Sequence, residues 1–276
     1  MELLKSSSKF SKKQIILLSI PVFFSNMAIP LVGMVDTGLM GNLSETKYLA
    51  ATSIATSVMT MIVWSFGFLR MGTVGIVAQA YGRSDYREIV KTILRNIALA
   101  LIAAFIIIIF FPALKIAISY FFSPSDETEV LIKTYLNVRI FSIPAELIIY
   151  VLVGFYLGIQ KTKISSFLII VLSSLNIIFS SLLVLTYDLK VFGVALGTLI
   201  SSYITLIIFT IFTYNYIIQK FKVIPKFENL VVRSKLLKLL NINLDIFIRT
   251  LFLTFAFLWV TSVSYTHLTL PTKALV

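Results

Sequence analysis

Cysteine is absent from the 276-residue chain, and histidine occurs once, as His267 near the carboxyl terminus. The absence of cysteine excludes disulfides, thiol chemistry and thiolate metal sites. The serines and carboxylates that remain show no spacing typical of a nucleophile and its base. The sequence therefore predicts a protein that is not an enzyme and that has neither a metal site nor a cofactor.

Charged residues are also scarce, at 13% of the chain, whereas 58% is hydrophobic and the mean hydropathy is +0.98. A soluble domain has no core large enough to hide that much apolar surface. Because a membrane span needs about 20 mostly apolar residues, the sequence predicts an all-α, polytopic membrane helix bundle. Seven spans are predicted: Ile15–Met40, Leu49–Gln79, Thr92–Tyr120, Tyr135–Ile159, Ile164–Leu185, Gly193–Ile218 and Leu244–Val263.

The formal charge of +12 is distributed unevenly between the predicted loops. Sixteen basic residues lie in the amino-terminal arm and around the second, fourth and sixth loops. The opposite side has five: Lys47, Lys115, Lys133, Arg139 and Lys190. By the positive-inside rule, the amino terminus is predicted to be cytoplasmic. The basicity is thus a signal of topology, and it does not indicate nucleic acid as a partner.

Asp36 is an acidic residue four positions before the end of the first predicted span. It either reaches the outer headgroups or belongs to a functional site, which is the default reading of an ionisable residue inside a membrane. Pro21 and Pro30 precede it and favour bending of the helix. Asn176 and Thr198, on the fifth and sixth spans, have comparable depth. They either hydrogen-bond the carboxylate or join helices to each other.

Three further charges fall within predicted spans. Arg70 and Arg249 are expected to reach the cytoplasmic surface or to pair with carboxylates, and Asp245 is a candidate partner for Arg249. Glu146 lies near the middle of its span, so it requires a water-filled cavity, a buried partner or protonation. Two hypotheses follow for Glu146: a pair with Arg70, or a lone protonated residue that lines a cavity.

Four ordered stretches resemble the multidrug and toxic compound extrusion (MATE) transporters. They are "IPVFFSNMAIPLVGMVDTGLMG", "YLAATSIATSVMTMIVWSFGFLRMGTVGIVAQAYGRSD", "IPAELIIYVLVGFYLGIQKTK" and "LNIIFSSLLVLTYDLKVFGVALGTLISSY". The stretch "FGFLRMGTVGIVAQAYG" is similar to the branch that contains the DNA-damage-inducible protein F. The resemblance extends over residues 11 to 262. It implies a monomeric, cation-coupled antiporter of twelve helices in two six-helix lobes, located in the bacterial inner membrane.

The same resemblance implies roles for individual residues. Asp36 matches the ion-coupling aspartate of the first helix, and Asn176 and Thr198 match polar members of the amino-terminal-lobe site. Tyr135 matches a tyrosine of the fourth helix. Pro21 matches a proline linked to helix bending. The expected partners are membrane lipid and small organic molecules that are lipophilic and cationic, held by aromatic and methionine side chains.

The sequence departs from the family pattern at Ser180, where many relatives have a second aspartate. A hard cation such as Na⁺ prefers several charged or strongly polar oxygens, so this departure favours H⁺ over Na⁺ as the coupling ion. Asp36 is then the predicted proton carrier, and Ser180 and Glu146 are predicted to line the same site.

The chain is expected to contain one lobe and part of a second. The predicted domains are residues 1–218 as the amino-terminal lobe, 219–243 as a basic connection and 244–263 as the first helix of an incomplete second lobe. Residues 264–276, which include "YTHLTLPTKALV", are interpreted as an artefactual tail, so His267 is not a ligand. Two alternatives to an antiporter stay open: a fragment that does not transport, and a lipid-linked glycan flippase.

Overall fold

The computed structural model describes residues 12–43, 45–224, 243–250 and 252–253, and these form helices and the turns between them. The helices are α1 (Lys12–Gly41), α2 (Thr46–Ser65), α3 (Phe68–Gly82), α4 (Tyr86–Phe122), α5 (Asp126–Arg139), α6 (Ile143–Gly158), α7 (Thr162–Leu185) and α8 (Lys190–Tyr216). A short 3₁₀ segment, Ile140–Ser142, separates α5 from α6, and a π-helical turn, Ile217–Phe221, follows α8. Residues 243–250 are also helical.

Six segments of the described chain are long and apolar enough to cross a membrane, which confirms six of the seven predicted spans. They are Ile20–Gly41, Thr46–Gly82, Tyr86–Phe122, Asp126–Gly158, Thr162–Leu185 and Lys190–Phe221. Residues 225–242 of the predicted connection, most of the seventh predicted span and the tail at 264–276 lie outside the described residues. The chain is a multi-pass membrane protein.

Two of the spans are interrupted helices. The second consists of α2 and α3, which are separated by Phe66 and Gly67. The fourth consists of α5 and α6, and Pro144 follows the 3₁₀ segment between them. Proline has no N–H and its ring clashes with the preceding turn, so a helix restarts at Pro144 more easily than it continues through it. The fourth span therefore has a fixed irregularity close to the centre of the bundle.

Small residues allow helices of the lobe to approach closely. A Cβ atom at Gly197 of α8 would lie 2.6 Å from both the backbone nitrogen and the Oγ of Ser180 on α7. At Gly154 of α6, a Cβ atom would lie 2.7 Å from the carbonyl oxygen of Arg70 on α3. Such contacts drive association between membrane helices, because lipid offers no hydrophobic force for it.

Large apolar side chains lie both in the interior of the bundle and on its outer surface. Tyr135, Phe155 and Tyr156 are among the largest fully buried side chains. The outer surface carries large apolar side chains, including Phe105 and Ile116, which are 65% and 73% exposed. A soluble protein would not present such a surface to water, but a bilayer solvates it.

We predict that Gly197→Ala destabilises the lobe. The new methyl group would collide with the Ser180 backbone, which cannot move aside like a flexible side chain, at a cost of about 1–3 kcal/mol. Thermal unfolding of the purified chain in detergent measures the effect. Gly75→Ala is the matched control, because no atom lies within 4 Å of its Cβ position. Equal melting temperatures for the two variants would contradict the prediction.

Candidate functional site

Asp36 lines a cavity of about 340 Å³ in the interior of the lobe. Helices α1, α2, α5, α6, α7 and α8 form its walls, so it lies at the centre of the bundle. Asp36 is 6% exposed, and its Oδ1 has no hydrogen-bond partner among the described residues. The Oγ of Ser202, in the wall of the same cavity, is also buried without a partner. Buried polar atoms are nearly always hydrogen-bonded, so these two atoms indicate that the cavity receives water or a ligand.

Asn176 and Thr198 also line the Asp36 cavity, but they hydrogen-bond each other. The Nδ2 of Asn176 donates to the Oγ1 of Thr198 at 3.0 Å, and the Oγ of Ser180 donates to the Oδ1 of Asn176 at 3.3 Å. Thr198 in turn donates to the carbonyl of Val194 at 3.1 Å. The bond between Asn176 and Thr198 joins α7 to α8, and none of the three bonds reaches the Asp36 carboxylate.

Glu146 forms an ion pair with Arg139 inside the fourth span. The Nη1 of Arg139 donates to Glu146 Oε1 and to the Oγ of Ser142, and Nη2 donates to Glu146 Oε2 at 3.1 Å. The two side chains are 11% and 12% exposed. A bidentate pair of this kind offsets much of the cost of burying each charge. The negative charge of Glu146 is therefore compensated within the wall of the cavity.

This pair corrects three expectations from the sequence. Both hypotheses for Glu146 were wrong: its partner is Arg139, so it is neither paired with Arg70 nor alone. Arg139 was counted above with the outer loops, but it is the last residue of α5 and is 9% exposed. Its seven-residue spacing from Glu146 places both side chains on one helix face, and that spacing is the signal in the sequence that indicates the pair.

Arg70 and Arg249 do not form the ion pairs with carboxylates that were one of their two expected alternatives, and the other alternative, reaching the cytoplasmic surface, stays a prediction. The guanidinium of Arg70 lies 5.7 Å from the ring centroid of Tyr150, and Arg249 Nη2 lies 3.7 Å from the Sδ of Met71. Within residues 12–43, 45–224, 243–250 and 252–253, neither arginine forms an ion pair, so the pair of Arg249 with Asp245 is not formed.

Tyr135 and a row of hydroxyl groups on α2 complete the surroundings of Asp36. Tyr135 is buried in the cavity wall, and its hydroxyl accepts a hydrogen bond from Thr56 Oγ1 at 3.1 Å. A neighbouring cavity of about 520 Å³ shares Asp36 and lies along the same face of α2. Its hydroxyl-bearing residues on α2 are Thr52, Ser53, Thr56, Ser57, Thr60 and Ser65. The sequence analysis missed these hydroxyls, although the four-residue spacing of Thr52, Thr56 and Thr60, and of Ser53 and Ser57, marks one polar helix face.

Pro21 and Pro30 both lie inside α1, which is helical across both positions. Each proline removes one backbone hydrogen bond from the helix. The role of these residues in bending stays a prediction, as do the roles of the residues that line the cavity.

Comparison with known proteins places the chain in a family. The sequence model of the MatE family matches residues 21–182. The chain belongs to the MatE family. It is 32% identical over 241 residues to the DNA damage-inducible protein F of Escherichia coli (strain K12), a match that covers 87% of this chain and 52% of that protein. It is also 26% identical over 198 residues to the multidrug export protein MepA of Staphylococcus aureus (strain bovine RF122 / ET3-1), covering 70% of this chain and 43% of MepA.

A solved structure of a MATE protein shows the same fold. It is described as the outward-facing conformation of a multidrug resistance MATE family transporter of the MOP superfamily. The superposition has a TM-score of 0.81 at 22% identity and covers 91% of this chain and 55% of that one. The chain thus has the fold of a MATE amino-terminal lobe, and it spans about half the length of the relatives it matches.

We predict that Glu146→Gln destabilises this MATE lobe by about 3–5 kcal/mol, because it leaves the charge of Arg139 buried and uncompensated. The double variant Glu146→Gln with Arg139→Gln should recover much of that loss. Melting of the single and double variants in detergent gives the coupling energy.

A second double variant, Glu146→Gln with Arg70→Gln, is the control for this cycle. This double variant should show no recovery of stability, because Arg70 is not the partner of Glu146 in the ion pair. Additive effects of the Glu146 and Arg139 substitutions would contradict the assigned pair.

Proposed function

We propose that the chain forms the amino-terminal lobe of a proton-coupled antiporter that exports lipophilic organic cations across the bacterial inner membrane. The proposal rests on the environment of Asp36. This residue is a buried carboxylate in the wall of a cavity, and one of its oxygens has no partner among the described residues.

The charges around the cavity support this role for Asp36. The cavity wall contains Asp36, Arg139 and Glu146, and Arg139 is held by both oxygens of Glu146. With that pair neutral overall, the charge of the site depends on whether Asp36 is ionised. An ionised Asp36 attracts a cation, and a protonated Asp36 does not. Binding of a proton and binding of a cationic substrate would then exclude each other, which is the requirement for antiport.

The size and lining of the cavity support an organic cation as the ligand. A volume of about 340 Å³ lies at the lower end of the range typical of small-molecule sites. Tyr135, Tyr150 and Trp64 contribute aromatic surface, which suits lipophilic cations. The unpaired oxygens of Asp36 and Ser202 provide the polar contacts.

The topology proposed for this function has a cytoplasmic amino terminus. The turns that follow α3 and α6 lie at one end of the lobe, which we call the basic end. The turns carry Arg83 and Lys161, and the first turns of α4 and α7 that follow them carry Arg87 and Lys163. The positive-inside rule assigns the basic end to the cytoplasm. Asp36, near the opposite end of α1, would then take up protons from the outer side and release substrate there.

We predict that the purified chain binds tetraphenylphosphonium more tightly as the pH rises. Ionisation of Asp36 adds the negative charge that attracts the cation, and acid removes it. Asp36→Asn should weaken binding about tenfold at mildly alkaline pH, equivalent to about 1.4 kcal/mol, and abolish the pH dependence. Calorimetric titration in detergent at several pH values measures both effects.

Asp126→Asn is the control for this titration, since Asp126 is an exposed carboxylate in the first turn of α5. It should bind like the unmodified chain at every pH. If Asp36→Asn retained both the affinity and the pH dependence, Asp36 would not be the coupling residue.

We further predict that Na⁺ does not compete with tetraphenylphosphonium for this site. Ser180 provides a hydroxyl that is already hydrogen-bonded to Asn176, so Asp36 is the carboxylate available to a metal ion there. A hard cation needs more oxygen ligands than this. Titration with NaCl, with choline chloride as the control for ionic strength, should give equal affinities. Selective loss of binding in NaCl would show that sodium occupies the site.

Transport by this chain is a separate question, because the chain spans about half the length of its relatives. Reconstitution in liposomes with a proton gradient distinguishes an active antiporter from a lobe that binds without transporting. A proton-driven flux that Asp36→Asn abolishes would assign antiport to the chain itself. Binding without flux would assign transport to a longer assembly.

A further inference from the structure

A separate polar cavity, of about 370 Å³, lies between α1, α3, α6 and α7, away from the two cavities that Asp36 lines. Its polar lining consists of Ser25, Asn26, Arg70, Ser165 and Ser166. The remaining lining is apolar and contributed by valine, leucine, isoleucine and methionine side chains. We call it the Arg70 cavity. It shares no lining residue with the Asp36 cavity.

Arg70 brings a positive charge into this cavity without a carboxylate to balance it. Among the described residues, the guanidinium lies over the ring of Tyr150, 5.7 Å from its centroid, and it forms no ion pair. Arg139, by contrast, donates hydrogen bonds to both carboxylate oxygens of Glu146. A guanidinium inside a membrane protein is costly unless an anion or water accompanies it. The Arg70 cavity therefore favours an anionic ligand.

The hydroxyl groups of the cavity add donors for the same anion. Ser165 and Ser166 are each 2% exposed. The backbone N–H of Ser165 donates to the carbonyl of Lys161 at 3.2 Å, but the hydroxyl groups of the two serines form no hydrogen bond with another described residue. Ser25, by contrast, already donates to the carbonyl of Val22 at 2.9 Å. Two buried hydroxyls and a guanidinium that face one cavity form a set of donors suited to phosphate oxygens.

The cavity lies towards the basic end of the lobe, close to the end of α6 and the start of α7. Arg70 is level with Gly154, because a Cβ atom at Gly154 would lie 2.7 Å from the Arg70 carbonyl oxygen. Gly154 is four residues from the end of α6, a distance of about 6 Å along the helix. Ser165 lies in the first turn of α7, directly after the basic turn that carries Lys161. An anion that approaches this end thus meets positive charge outside and Arg70 inside.

We propose that the Arg70 cavity binds a phosphate group, with Arg70, Ser165 and Ser166 as its donors. Two sources share this chemistry: the headgroup of an anionic phospholipid and free inorganic phosphate. The apolar part of the wall suits a lipid, since an acyl chain can lie against it while the headgroup reaches Arg70.

Lipid binding to the purified chain in detergent tests the proposal. Phosphatidylglycerol is titrated and its binding followed by native mass spectrometry, with phosphatidylcholine as the zwitterionic comparison. Arg70→Gln should weaken phosphatidylglycerol binding at least tenfold, whereas Arg70→Lys should weaken it less. Arg83→Gln is the matched control, because it removes the same charge from an exposed turn of the basic end. It should change the affinity less than twofold.

A second variant tests the cavity with Arg70 intact. Ser166→Leu places a larger apolar side chain in the wall of the cavity and removes one of the proposed donors, so it should also weaken phosphatidylglycerol binding about tenfold. This variant keeps the proposal testable if Arg70→Gln does not fold.

An experiment with inorganic phosphate distinguishes a free anion from a lipid headgroup as the ligand. Stabilisation of the chain against heat by phosphate, lost in Arg70→Gln but retained in Arg83→Gln, would assign the site to a free anion. Lipid binding without an effect of phosphate would assign it to a headgroup. The proposal would be overturned if Arg70→Gln and Ser166→Leu each bound phosphatidylglycerol, and each bound phosphate, as tightly as the unmodified chain does.

Discussion

The ion pair between Arg139 and Glu146 is the interaction on which the interior of this lobe depends. It allows the fourth span to carry two charges through the centre of the bundle, with each side chain about nine-tenths buried. The 3₁₀ segment between α5 and α6 also contributes, since Ser142 lies within it and accepts a hydrogen bond from Arg139. Without the pair, the Asp36 cavity would have two further charges in its wall. With it, the ionisation of Asp36 sets the charge of the cavity.

Much of the fold follows from composition, because lipid imposes simple rules on a chain. Spans must be long, apolar and helical, and these rules located six segments that the structure contains. The same rules identified Asp36, since a carboxylate in an apolar segment is rare enough to stand out. The boundaries were less accurate. The fourth span begins at Asp126, nine residues before the predicted start, because the amphipathic first half of α5 is not hydrophobic enough to be recognised as membrane-spanning.

The contacts within the site could not be predicted in the same way. Asn176 and Thr198 were expected at the depth of Asp36, and both line its cavity, but hydrogen bonds between side chains depend on how α7 and α8 rotate against each other. That rotation is set by the close contact of Gly197 with Ser180, which periodicity alone does not reveal. Glu146 was assigned to the wrong partner for a related reason: charges in membrane helices were paired across helices by depth, and the pair lies within one span.

Helix α1 lines both the Asp36 cavity and the Arg70 cavity. Val22, Ser25 and Asn26 face the Arg70 cavity, and Gly33 and Asp36 face the other, with Pro30 between the two sets. Helices α3 and α6 approach each other closely at Gly154 and Gly158, where an added Cβ atom would lie 2.7 Å from atoms of α3. A rotation or bend of α1 at Pro30 therefore changes the shape of both cavities in one movement, and a ligand that fixes one half of α1 restricts the other half mechanically.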